Sequence, residues 1–358
     1  MRARLLLVTL TVTVSLALAT TPIGASTPDS EVTGKTNGET IRLVTHDSFA
    51  VSQNVLDAFT ARTGIKVEIL QGGDAGTVVN QAILTKDNPV GDVLFGVDNT
   101  FLTRALQAGI FERYKSPELG TVPASLQLDP KSRVTPVDYG DVCINYDKAW
   151  FKSHHVKVPK TLQDLTKPAY KSKLVVEDPS TSSPGLAFLL ATISAYGPKQ
   201  WQHYWQQLRA NDVQVVDGWE QAFYDDFSGG GGDGSRPLVV SYASSPPATV
   251  YFADPPTTEA TIGTMTGACF RQVEFAAILK GTAHQAAARK FVDFLLSPQF
   301  QADIPLQMFV FPAREGTPLP KVFQQFADVP EAPYTLPVNK IGAQRDAWIR
   351  EWTGTVLR

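Results

Sequence analysis

The chain has 358 residues, 43% of them hydrophobic and 19% charged, with 32 basic against 35 acidic side chains and a formal net charge of −3. That composition fits one large or two modest globular domains and excludes a largely disordered chain. It carries no basic excess for a phosphate backbone, so no nucleic-acid partner is expected, and with only two cysteines, Cys143 and Cys269, it is not a disulfide-dense scaffold.

Arg2 and Arg4 precede an apolar run, Leu5 to Leu18, that ends in small residues. The run is too short and too rich in Thr for a membrane span, and it has the form of a secretory signal peptide over residues 1–25. Cleavage is expected after Ala19 or Ala25, and removing Arg2 and Arg4 takes the net charge to −5. Without a Cys just after the run there is no lipoprotein anchor, so the expectation is a soluble, exported protein, periplasmic or extracellular. Residues 26–40 are polar and are expected to be a disordered lead-in.

A strand is predicted over Ile41 to Thr45, followed by a helix with Val51, Val55, Leu56 and Phe59 at helical spacing and Gly64 as its stop. Then come strand Ile65 to Leu70, helix Thr77 to Leu84, strand Asp92 to Val97 and helix Asn99 to Ala108. Such β-α-β-α-β-α order implies a parallel sheet covered by helices. Val137 to Tyr146 reads as a long strand, after which a second series begins. It comprises strand Leu174 to Glu177, helix Leu186 to Tyr196, helix Gln200 to Arg209, strand Val213 to Val216, a short helix after Gly218 and strand Leu238 to Tyr242. Strand Gln272 to Leu279 and helices Gln285 to Leu296 and Ala343 to Trp352 complete the pattern. Two α/β units joined by extended segments predict two lobes, with the ligand in the loops beyond the strand ends. The expected division is 41–136 plus about 250–300 for one lobe, and 137–249 plus about 301–358 for the other.

The five histidines form no HExxH and no zinc-ligand spacing, so no metal site is expected. GxSxG and Walker A motifs are absent, and no catalytic residue is assigned. Gly229 to Gly234 matches GxGxxG, but it follows a helix and precedes a strand, which is the reverse of a dinucleotide site. It reads as a surface loop. The loop Asp178 to Gly185 joins a strand to an apolar helix, placing Ser182 and Ser183 where hydroxyls either cap the helix or grip an anion. Gly72 to Thr77, with Asp74 and Ala75, is a second such loop. Trp219 and Tyr242 stand at strand ends, where an aromatic ring either packs or stacks on a flat cation. Asp47, Asp74, Asp98 and Asp138 also fall at strand ends; only their convergence would give them meaning.

The segments THDSF (45–49), GVDN (96–99), VDYG (137–140), STSSPG (180–185), GWE (218–220) and VSY (240–242) resemble the thiamine-binding proteins of bacterial ABC importers. KFVDFLLSP (290–298) is shared by many extracellular solute-binding proteins, and QRDAW (344–348) with Glu351-Trp352 continues the likeness. It runs in order from about Ile41 to Trp352. The resemblance implies a type II periplasmic-binding-protein fold of two α/β lobes whose hinge the chain crosses more than once. It implies a monomeric receptor for thiamine, thiamine monophosphate and thiamine diphosphate, without a cofactor, that delivers its ligand to a membrane permease. Carried over position by position, the ligand contacts fall on Asp74, Ala75, Ser182, Ser183, Trp219, Tyr242, Ala243, Ser244 and Ser245. Phe309 stands in place of a family Trp, and His46 in place of a family Tyr. A further family Tyr has no counterpart in the rearranged Pro246 to Tyr251.

Three rivals follow from the same fold. A thiaminase I-like enzyme would use Cys143 as nucleophile; the alternatives for that residue are a buried small hydrophobe or a disulfide to Cys269. A ferric-ion receptor wants adjacent tyrosines, which Tyr242-Ala243 does not supply. A polyamine receptor rests on fold analogy alone.

Overall fold

A computed structural model describes residues 38–358; the expected signal peptide and most of the expected lead-in lie outside them. Chain order begins β1 (Thr40–Thr45), α1 (Gln53–Thr63), β2 (Lys66–Gln71), α2 (Ala75–Leu84), β3 (Val93–Asp98) and α3 (Leu102–Ala108), the alternation the periodicity predicts. Gly64 ends α1 in the left-handed region (φ 73°), its N–H bonded to Thr60. There follow β4 (Thr135–Asp147), α4 (Lys148–Ser153), β5 (Leu174–Glu177), α5 (Ser183–Tyr196), α6 (Trp201–Ala210), β6 (Gln214–Val216), β7 (Leu238–Tyr242), α7 (Pro246–Tyr251) and β8 (Ile262–Ile278). The chain closes with α8 (Gln285–Leu295), α9 (Pro298–Gln307), β9 (Phe311–Pro312), α10 (Lys321–Phe326) and α11 (Val338–Val356).

The strands form one sheet in the order β2-β1-β3-β8-β4-β7-β5-β6, with β9 on β4. At one end β1 pairs parallel with β2 and β3, and at the other β5 pairs parallel with β6 and β7. Between these parallel halves run the two long antiparallel strands, β4 and β8. The chain therefore passes from one half to the other along both. β8 is twice the length expected from its apolar run, because Ile262 to Met265, Phe270 and Arg271 also pair with β4, despite the Gly and Thr content of the stretch.

One face of the sheet is covered continuously, from Val78 and Leu102 through Phe188 and Trp205 to Trp352. α5 is buried on all sides from Ser183 to Ile193, which is why it starts earlier than its apolar run: Ser182 caps it through Gly185 N–H and Pro184 fits its first turn. The other face carries two separate covers. Phe59, Phe291, Phe294, Phe300 and Ile304 pack over Ile41 and Leu43. A much smaller group, Phe223, Phe227 and Ile262, packs over Val175 and Val239. The short helix expected after Gly218 is a π-helical turn, Gln221–Asp226. The gap between these two covers holds the site.

Candidate ligand-binding site

Parallel strands deliver their carboxyl ends to the same place, and here the loops after β1, β7 and α9 and the π-turn enclose a cavity of about 320 Å³. Its wall is aromatic: Trp219, Phe223, Tyr224, Tyr242, Phe252 and Phe309 all line it. Trp219 stacks on Phe223 (centroids 4.9 Å apart, planes at 22°) and meets Tyr242 edge-on at 6.4 Å. Its indole Nε1–H donates to Ser241 Oγ (2.9 Å), which lies 3.1 Å from Ser245 Oγ, so the ring is held from behind. Phe309 adopts a positive φ of 53° and packs against Phe252 and Tyr251 at the rim.

The floor is ionisable. His46 Nε2 lies 3.1 Å from Glu274 Oε1, and its Nδ1 is 3.1 Å from Ser48 Oγ. The first distance is that of an ion pair, yet burial holds the imidazole below its usual range and lifts Glu274 to about 8, with Asp98 and Asp74 adding to the rise. At neutral pH the contact is thus a hydrogen bond between neutral groups. Asp138 faces Glu274 across the β4–β8 ladder and is pushed well up by burial and then by that carboxyl. Like charges so placed do not both ionise.

Asp74 joins the two halves. Its Oδ1 accepts from the N–H groups of Ala75 (2.6 Å) and Ser183 (3.1 Å), and its Oδ2 from that of Trp219 (3.0 Å). Burial raises its pKa and these bonds oppose the rise. Gly76, one residue into α2, lets the halves close: a Cβ there would run into Thr181 O and the Phe101 ring. Ser183 Oγ is hydrogen-bonded to Asp98 Oδ2 and accepts from Gln272 Nε2 (3.0 Å), whose Oε1 in turn accepts from the Tyr242 hydroxyl (3.2 Å).

Of the residues expected from sequence, Trp219, Tyr242, Ser245 and Phe309 line the large cavity. Asp74, Ala75 and Ser183 line a small recess beneath it, together with Trp219 and Tyr242. Ser182, Ala243 and Ser244 line neither and are buried; Ser182 caps α5, and Ser244 Oγ has no hydrogen-bond partner among the described residues. Sequence reasoning missed Glu274 and Gln272 on β8, Glu220 just before the π-turn, Phe223 within it, and Phe252. Glu274 had left one trace, a lone acid in an otherwise apolar strand. The aspartates expected at strand ends do converge, although Asp138 stands inside β4: Asp74, Asp98 and Asp138 all act on the His46–Glu274 pair.

Cys143 is bonded to Cys269, and both are buried. The free thiol that a Cys143 nucleophile requires is therefore not there, and neither sulfur lines the cavity.

Two parallel α/β halves, two crossing strands and a cleft at the strand ends define a two-lobed binding protein of type II. The chain belongs to the bacterial extracellular solute-binding proteins, whose family profile matches residues 88–345. Within that family it is 31% identical over 323 residues to the thiamine-binding periplasmic protein of Salmonella typhimurium, covering 89% of this chain and 94% of that one. Against the protein of the same name from Escherichia coli K12 it is 30% identical with the same coverage. A solved periplasmic thiamin binding protein superposes with a TM-score of 0.79 at 27% identity, over 89% of this chain and 96% of that one.

Proposed function

We propose that this chain is the receptor of an ABC importer that captures thiamine, thiamine monophosphate and thiamine diphosphate and hands them to a membrane permease. The observation that carries this reading is the pairing of an aromatic wall with a floor of converging carboxyl groups. Thiamine joins a flat aminopyrimidine to a permanently cationic thiazolium, and such a cation gains from aromatic faces and nearby acids. The names and coverage of the relatives support the same ligand. In this reading the protein is an exported monomer that binds without a cofactor and leaves its ligand chemically unchanged.

Trp219, Tyr242 and Phe309 take the rings. Asp74, Ala75, Ser183 and Ser245 form the polar side, with the buried Ser182, Ala243 and Ser244 adjoining them in the chain and the phosphate tail directed to the start of α5. Ligand exchange requires the lobes to part, which breaks the bonds that Asp74 makes across the cleft.

Titration calorimetry of the mature protein with thiamine, its two phosphates, spermidine and ferric citrate tests the proposal. One-to-one binding of the three thiamine species is expected, with no comparable heat from the others. Absence of thiamine binding would remove it. The double variant Ser182→Ala with Ser183→Ala should weaken the esters more than free thiamine; equal losses would leave these serines a structural role only.

A further inference from the structure

Away from the cleft, a second concavity of about 260 Å³ is lined by Asn80, Arg104, Ser180, Arg345, Asp346 and Arg350. Three guanidinium groups here meet one carboxylate, in a chain whose net charge is negative. Arg345 is only 6% exposed; its Cζ sits 4.3 Å above the Phe101 ring and its Nη1 donates to Asp346 Oδ1 at 2.8 Å. Its buried Nε has no hydrogen-bond partner among the described residues. Arg104 spends its Nε on Asn80 Oδ1 (2.9 Å) and reaches Asp346 only at 3.8 Å, and Arg350 has no ion pair among the described residues.

A buried guanidinium with an unsatisfied donor is costly, and Asp346 cannot neutralise three cations. Planar N–H forks around a concavity of this size match the oxygens of a small oxyanion, bidentate and charge-assisted. We propose that this concavity is a binding site for a small oxyanion of the phosphate class. Its lining comes from both halves of the molecule: Asn80 and Arg104 from α2 and α3, Ser180 from the loop after β5, and the rest from α11, which packs on both α3 and α6. The Ser180 loop continues to Ser183, whose N–H is bonded to Asp74. An anion held here therefore braces the closed approach of the halves from outside the cleft. The proposal does not depend on which solute the large cavity takes.

The test is titration of the mature protein with inorganic phosphate at constant ionic strength, chloride being the balancing anion, followed by calorimetry and by thermal unfolding. Saturable binding and a raised unfolding midpoint are expected. Arg350→Ala, a change at an exposed side chain, should weaken phosphate severalfold, and its combination with Arg104→Ala by about tenfold or more. Thiamine titration of Arg350→Ala reports on the main cleft and should be unchanged. No saturable phosphate binding would overturn the proposal, and so would equal affinity in the wild type and the double variant, since the anion would then sit elsewhere.

Discussion

The wall and the floor of the cleft are built on opposite terms. The wall is aromatic surface, and its rim, with Phe252 67% exposed and Phe309 packed on it, can shift without leaving a polar group unpaired. The floor is a set of buried ionisable groups in which Asp74, Asp98 and Asp138 act on Glu274, Glu274 and Asp98 act on Asp138, and Asp74 and Asp138 act on His46. Contacts at the rim of the wall couple only to the rings they touch, whereas a change in the floor is felt by every neighbour. In the proposed receptor the wall recognises a flat ring, and the floor sets the charge that the ring meets.

The sharpest way to break this contrast is Asp74→Ala. It strands three N–H groups that now share one carboxylate, including two from the opposite half, and should cost about 3 kcal/mol or more in unfolding by denaturant. Thiamine affinity should fall with it. A loss below ~1 kcal/mol would show that Asp74 belongs with the adaptable wall. Next in size, Trp219→Ala should weaken thiamine and both esters alike, by about 1–3 kcal/mol in titration calorimetry.

The floor makes a prediction in pH. Glu274 is a carboxyl whose folded pKa is raised to about 8, so the folded state holds a proton that the unfolded state has released. Its contribution to stability is present below the ordinary carboxylate range and is lost as pH rises through about 8. A bound cation favours the ionised form, so thiamine affinity should rise over the same interval and binding near pH 7 should release protons. Calorimetry in buffers of different ionisation heat reads that release, and Glu274→Gln should abolish it. Proton release that survives the substitution would assign the titration to another group. The smallest effect is expected at the rim: Phe252→Ala should cost under about 1 kcal/mol of affinity, because that ring keeps most of its surface in water.

How much of this was legible in the sequence depended on distance along the chain. Val55, Leu56 and Phe59 announced α1 by spacing, and Gly64 its end, because helices are governed by neighbours three and four residues away. β8 was half hidden: Gly263 to Ala268 lacks the apolar alternation of a strand, and its pairing with β4 depends on a partner more than 100 residues distant. The site divides the same way. Trp219 and Tyr242 could be singled out as aromatics at strand ends. That Asp74 accepts bonds from Ser183 and Trp219, 109 and 145 residues onward, follows only from the fold. Glu274 gained its meaning only when β8 was set beside Asp138 and His46.

The Cys143–Cys269 bond has a consequence for movement. It links β4 to β8 where their register slips, between the Val142–Phe270 and Ile144–Met265 pairs. Two strands joined both by this bond and by their hydrogen-bonded ladder cannot slide past each other at this point. The rivet spans 126 residues, and in the chain-entropy account closing so long a loop is worth about 5 kcal/mol against the unfolded state. A chain retained in a reducing compartment would forgo that gain. Its two crossing strands would then be held together by their hydrogen-bonded ladder alone.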